Sequence, residues 1–313
     1  MFRNLIRPLP MFILPTLWLL PLQAQERTQI GTTPVQMTVS MRVVGDIQRT
    51  PVINREDIIV RQGEKRLQVT GWTPVSREQS RLDLFILIDD AADLSLVSQF
   101  DELRGFINSL PANIVVGVAY MRNGTAQIFQ NPTDNRYDAA KAIHPPFLES
   151  EGSPCLSVVD LMNQWPAGST RREVLMITDG IDRTRGGPRT HGLSLMSPDV
   201  YVARTVAQHM GTIIDTIFAR GVVILGDWEI RNGQATMAKL AHETGGESFY
   251  LDTKNLVSFH PYLDTLRSGL DNRYLLEFSA IPGGKSGLQD VEVTTNVGGV
   301  ELDSAGSVWV KAQ

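Results

Sequence analysis

The chain has 313 residues, with 34 Asp and Glu against 29 Lys and Arg and a formal net charge of −5. A mildly acidic, evenly mixed chain argues against nucleic acid or anionic lipid as the main partner. The single cysteine, Cys155, excludes an intrachain disulfide, so a fold of this length must rely on its apolar core.

The chain opens with Arg3 and Arg7, then a short apolar run from Met11 to Leu22 broken by Pro15 and Pro21, then Leu22-Gln23-Ala24. That is the pattern of a secretory signal over residues 1–24, cleaved after Ala24. The run falls short of the roughly 20 apolar residues that span a bilayer. Export to the periplasm or the medium, with no stable membrane insertion after cleavage, is therefore expected. Cys155 is expected to be buried, since cysteine packs as a small apolar residue; the alternative is a thiol free to pair between chains.

Residues 25–79 read as β structure. Val35 to Val44 alternates, Gly45-Asp46 signals a turn, and Asp57 to Arg61 and Leu67 to Thr70 suit two further strands joined across Gln62-Gly63-Glu64-Lys65. Residues 80–271 alternate strand and helix. Leu84 to Ile88 is a short, continuous apolar run, the mark of a strand buried on both faces. Leu96 to Leu110 carries apolar residues on one helical face and stops at Pro111. Ile114 to Met121 and Thr125 to Phe129 flank Asn123-Gly124, a strong hairpin signal. A short helix over Ser157 to Met162 precedes the strand Glu173 to Thr178. Val202, Val206, Met210, Ile213 and Ile217 predict one long helix over Asp199 to Ala219, followed by a strand over Val222 to Leu225. A helix over Ala235 to Ala241, a break at Gly245-Gly246, a strand over Glu247 to Leu251 and a helix over Leu256 to Leu270 complete the region.

Residues 272–313 are β again, with alternation over Tyr274 to Phe278, Val291 to Thr295 and Val308 to Val310. Each β end alone would bury little, so the two are expected to pack as one small β-sandwich. The fold class is thus α/β: a Rossmann-like, doubly wound, mostly parallel sheet with one antiparallel edge strand, plus that sandwich.

The chemistry concentrates where two apolar strands end in acid: Leu84 to Asp93, LFILIDDAAD, and Val174 to Asp182, VLMITDGID. Carboxylates there sit at the carboxyl ends of strands, where open α/β sheets bind ligands. No Gly-x-Ser-x-Gly elbow is present, and the five histidines show no close metal-ligand spacing. An Asp-x-Asp phosphatase pattern is broken by Ala91, and Gly283-Gly284-Lys285-Ser286 reads as a turn rather than a phosphate loop. No enzyme is expected.

The Thr178-Asp179-Gly180 after an apolar strand and the Glu243-Thr244-Gly245-Gly246 before the last one, in this order, resemble the von Willebrand factor type A domain. More narrowly, the chain is similar to the exported acidobacterial proteins related to that domain. The resemblance implies a metal-ion-dependent adhesion site built from Asp-x-Ser-x-Ser, a Thr from a later loop and the Asp of Thr-Asp-Gly. Matched residue by residue, Asp89 takes the first Asp, Ala91 the first Ser, Asp93 the second Ser, Ser153 the Thr and Asp179 the last Asp. Two readings stay open. Asp89, Asp93, Ser153 and Asp179, with Asp90 nearby, hold a divalent cation, Mg²⁺ or Ca²⁺. Or the site is degenerate and metal-free, with Asp90 and Asp93 as loop residues capping the helix near Ser95. No other cofactor is implied.

The functional expectation is an exported, non-catalytic, adhesion-type module for an unknown protein partner, with the Gly- and Arg-rich loop from Ile181 to Ser197 as a candidate contact. The alternatives are a metal-dependent hydrolase using Asp89, Asp93 and Asp179, or a self-assembling cell-envelope protein.

Overall fold

Eight consecutive buried residues, Leu82–Asp89 (β5), set the centre of the fold. Their side chains alternate between two cores, because successive residues of a strand face opposite sides. Leu84, Ile86 and Ile88 enter one apolar cluster, and Phe85 and Leu87 the other. The computed structural model describes residues 31–45, 51–75, 81–147, 151–169, 171–183, 199–221, 226–250 and 258–312. The expected signal, the Val222 to Leu225 strand and residues 184–198 of the Gly- and Arg-rich loop lie outside the described residues.

In chain order the elements are β1 (Thr33–Val43), β2 (Ile58–Gln62), β3 (Lys65–Arg66), β4 (Gln68–Pro74), β5, α1 (Phe100–Ser109), β6 (Ile114–Arg122) and β7 (Thr125–Thr133). Then come α2 (Arg136–Lys141), α3 (Pro154–Gln164), β8 (Arg172–Thr178), α4 (Asp199–Met210), β9 (Thr212–Phe218), α5 (Asp227–Thr244), β10 (Ser248–Phe249) and α6 (His260–Asp271). The last five are β11 (Arg273–Ala280), β12 (Gly287–Asp290), β13 (Glu292–Thr295), β14 (Val300–Ser304) and β15 (Ser307–Val310).

The central sheet runs β10-β9-β8-β5-β6-β7. All its pairings are parallel except β6 with β7, the expected edge hairpin. That hairpin turns on Asn123 (φ 50°) and Gly124 (φ 77°), the two positive values a tight two-residue turn demands. One face of the sheet is covered by α1 and α6 through Phe100, Leu103, Ile107, Leu263 and Leu266. The other is covered by α3, α4 and α5 through Cys155, Val158, Ala203, Met237 and Leu240. Cys155 is buried there, and burial pushes its thiol up to about 12. Gly117 on β6 leaves room for the Phe85 ring of β5, which a Cβ would approach to 2.5 Å.

The two β ends interleave. β11 lies between β1 and β4, and β1 also pairs with β14, all antiparallel. β13 pairs with β2, and β12 with β15. Residues from both ends, among them Val39, Ile58, Val60, Leu276, Phe278, Val293 and Val310, share one apolar cluster.

α2 and β12 were not expected, α5 starts eight residues before the expected Ala235, and two segments differ in the kind of element. The single helix over Asp199 to Ala219 is instead α4, a turn at Gly211 (φ 63°) and β9. The left-handed conformation of Gly211 ends the helix. Thr212-Ile213-Ile214-Asp215-Thr216-Ile217-Phe218 is then a β-branched run buried on both faces. The helix placed over Leu96 to Leu110 begins as a 3₁₀ segment, Leu94–Gln99, and becomes α-helical only at Phe100.

Candidate functional site

β5 and β8 are parallel neighbours with Ile88 opposite Ile177, so Asp89 and Thr178-Asp179 leave the sheet side by side. Asp89 is held by two donors: the Ala91 N–H at 2.9 Å and the Thr178 hydroxyl at 2.6 Å. The Thr178 oxygen also accepts the Gly180 N–H at 3.1 Å. Asp179 accepts the Ile181 N–H at 3.0 Å and is gripped by both terminal nitrogens of Arg183, one at 3.2 Å. The Arg183 N–H in turn donates to the Gly152 carbonyl at 2.7 Å.

Bare backbone packs around this ion pair. A Cβ on Gly152 would come within 3.2 Å of both Asp89 carboxylate oxygens and of an Arg183 nitrogen. A Cβ on Gly221 would collide with Asp179 and meet the other Arg183 nitrogen at 2.5 Å. Gly180 (φ 74°) and Gly233 of α5 press together, so that a Cβ on Gly233 would run into the Asp179 carbonyl. Burial, and next the nearby Asp179 charge, raise the Asp89 carboxyl to about 6 against the pull of its hydrogen bonds. Burial works against the Arg183 charge, but Asp179 outweighs it and holds the guanidinium protonated.

The carboxylates expected to cluster divide among three places. Asp89 and Asp179 share the rim. Asp90, though adjacent to Asp89 in sequence and equally buried, faces away: it accepts from Arg122 Nε at 2.7 Å and from the Phe147 N–H at 2.8 Å. Asp93 caps the 3₁₀ segment by accepting the Ser95 N–H at 2.8 Å, a bond that holds its carboxyl below the usual range. Ser153 is buried before α3, and its hydroxyl has no hydrogen-bond partner among the described residues.

A divalent cation needs several oxygen ligands in a defined shell. Ala91 offers none, Asp93 is engaged at a cap, and both Asp179 oxygens face Arg183. Among the described residues no group of three or more His, Cys, Asp or Glu is placed to hold a metal ion. With Asp93 at its cap and Asp179 on Arg183, the donors as they stand do not fit Mg²⁺ or Ca²⁺. Arg122 was not singled out from sequence, Thr178 was named only as part of the Thr178-Asp179-Gly180 motif, and Arg183 lay within the Gly- and Arg-rich loop with no role given to it. The four-residue spacing from Asp179 to Arg183 was the one available signal for the last of them.

Apolar side chains flank the carboxylate rim. Phe147 is 56% exposed with the Arg122 guanidinium 4.8 Å over its ring, and Leu94 is 51% exposed beside the Asp93 cap. A second buried ionic cluster lies near the start of β8. Arg273 Nε stands 3.4 Å from Glu173 and a terminal nitrogen 3.6 Å from Asp215. Asp215 also accepts the Glu247 N–H at 2.8 Å. A cleft of about 600 Å³ opens at that level between β1, the end of α4 and β15, and none of the rim carboxylates lines it. Among the described residues no helix is long and apolar enough to cross a membrane.

No family model and no curated protein sequence matches the chain. Among solved structures the chain is similar to the human COPII-coat protein Sec24c, at 10% identity and a TM-score of 0.46, over 74% of this chain and 44% of that one. It is also similar to the vWF domain of the type V pili tip protein Mfa5 from Porphyromonas gingivalis, at 10% identity and 0.42, over 62% and 93% of the two chains. A third likeness is to the SpRpn10 VWA domain, at 10% identity and 0.36, over 59% and 95%. The chain spans less than half the length of the Sec24c chain it matches. At these identities and scores the likenesses add nothing to the fold read from the strand order.

Proposed function

We propose that this chain is an exported, non-catalytic interaction module of the von Willebrand factor A type, of the acidobacterial kind, that docks a protein partner on its carboxyl-end rim through a degenerate adhesion site. One observation carries the reading: Asp89 and Asp179, from segments ninety residues apart, converge on one rim flanked by exposed Phe147 and Leu94. Sheet edges of this kind are where α/β folds bind, and exposed aromatic and arginine side chains are the usual anchors of protein contacts. The non-catalytic part is supported by the engagement of both rim carboxylates, Thr178 on Asp89 and Arg183 on Asp179, and of their neighbours Asp90 on Arg122 and Asp93 on the Ser95 N–H. A hydrolase built on Asp89, Asp93 and Asp179 would need those groups free to hold a metal or a water. For self-assembly through a disulfide, Cys155 is too deeply buried to serve.

The test is capture by the immobilised full chain from periplasmic and secreted extract of the source cells. Phe147→Asp at the rim should abolish capture of the bound species, whereas Lys285→Glu in the turn before β12 should leave it intact. Equal capture by both variants would overturn the reading.

A further inference from the structure

We propose that Arg183 is the built-in cation of this rim, its guanidinium taking the seat beside Asp89 and Asp179 that an adhesion-type site gives to a divalent metal, so that the folded chain binds no Mg²⁺, Ca²⁺ or Mn²⁺ there. This goes beyond the docking role and holds whether or not a partner binds.

The geometry is that of a made site rather than a surface ion pair. Arg183 presents both terminal nitrogens to Asp179, the two-pronged arrangement that suits guanidinium and carboxylate. The Asp179 side chain is fully buried and that of Arg183 is 15% exposed. Asp89 closes the other side: a Cβ on Gly152 would touch Asp89 and the guanidinium alike. Gly152 and Gly221 thus bring bare backbone against the guanidinium, where a side chain would meet it. The arginine is fixed at its root as well, since its N–H is bonded to the Gly152 carbonyl and Asp179 accepts the Ile181 N–H in the same turn.

Physical chemistry favours the tethered cation. Mg²⁺ dehydrates reluctantly and demands near-octahedral oxygens, whereas a guanidinium is weakly hydrated and matches a carboxylate in two parallel bonds. Held four residues from its partner, it acts at a high effective concentration and no chelator can remove it. The missing oxygen at Ala91 and the outward engagement of Asp93 fit the same account, since a single positive charge needs no further ligands.

Thermal unfolding of the full chain in EDTA and with MgCl₂, CaCl₂ or MnCl₂ tests this, because an ion that binds the folded state must raise Tm. The wild type should melt at one temperature in all four conditions. Arg183→Gln should melt lower in EDTA, by at least roughly 5 °C for an uncompensated buried carboxylate, and should rise with at least one of the three cations. The double variant Asp179→Asn/Arg183→Gln should recover part of the loss in EDTA and ignore all three. Three results would each overturn the proposal: a cation-dependent Tm for the wild type, an Arg183→Gln protein as stable as the wild type in EDTA, or an Arg183→Gln protein that responds to none of the cations. Should Arg183→Gln fail to fold, the double variant decides: folding supports charge neutralisation as the role of Arg183, and failure to fold refutes it.

Discussion

Strand β8 has a buried ionic site near each end, and the two are built differently. At the amino end Glu173 meets Arg273, one hundred residues later in the chain, and Arg273 also faces Asp215 of β9. At the carboxyl end Asp179 meets Arg183, four residues on. The first site ties β11, and with it the β-sandwich, to the parallel sheet. The second closes on itself within one turn. A remote pair therefore holds the assembly together, and a local pair sets the charge of an edge without being needed to hold the two parts of the chain in place.

The largest effect is expected where the remote pair is broken. Arg273→Met takes the guanidinium from buried Asp215 and leaves Glu173 with Arg171 alone, 3.7 Å away, and should cost about 3–5 kcal/mol, read as a lowered urea midpoint. Arg183→Gln should cost less, because the Arg183 side chain is 15% exposed against 4% for Arg273, so that its loss opens Asp179 to water. Equal losses from the two would erase the distinction.

Next comes pH. Burial, opposed by Arg273 and the hydrogen bond from the Glu247 N–H and aided by Glu173, pushes Asp215 up to about 7. In the unfolded chain such a carboxyl titrates near 4 (about 3.9). Between those values the folded chain keeps a proton that the unfolded chain gives up. This group therefore stabilises the fold fully below the lower value, and its contribution is lost as pH rises through the upper one. Unfolding free energy should fall by on the order of 2 kcal/mol from pH 5 to pH 8. Asp215→Asn should flatten most of that slope, with Asp89, raised to about 6, supplying a remainder of the same sign. An unchanged slope in Asp215→Asn would assign the titration elsewhere.

The smallest effect is expected at Asp93. Asp93→Ala removes a cap and should cost about 0.5–1 kcal/mol. It should leave the response of Tm to divalent cations as in the wild type, which separates a capping carboxylate from a ligand.

Much of the fold was legible in the residues. Continuous apolar runs marked β5 and β8, alternation marked β1 and β11, and Asn123-Gly124 marked the edge hairpin. The failure at Asp199 to Ala219 has a definite cause. Apolar residues at 202, 206, 210, 213 and 217 keep a helical spacing across a boundary that only the left-handed Gly211 reveals. A strand buried on both faces has no periodicity of its own, so it inherited that of its neighbour. The rim was legible as a meeting of acidic strand ends and illegible in its charge balance. Asp89 and Asp90 are consecutive, and the sequence does not tell which way each turns at the end of a strand; one faces Thr178 and the other Arg122. Arg183 read as one basic residue in a loop, because the backbone turn that aims it at Asp179 is set by Gly180 and by the packing of Gly180 on Gly233.

The pairing of Thr33–Val43 with Arg273–Ala280 has a consequence for the order in which the molecule can form. β1 is made long before β11, with the whole α/β region between them in sequence, and Leu276 and Phe278 supply part of the core it lies on. Closing so long a loop is slow even where its entropy is tolerable. The opening segment must therefore wait, unpaired and with its backbone exposed, until the last quarter of the chain has been made. An intermediate with a finished parallel sheet and a dangling first strand is the species that a chaperone, or an unwanted neighbour, would meet.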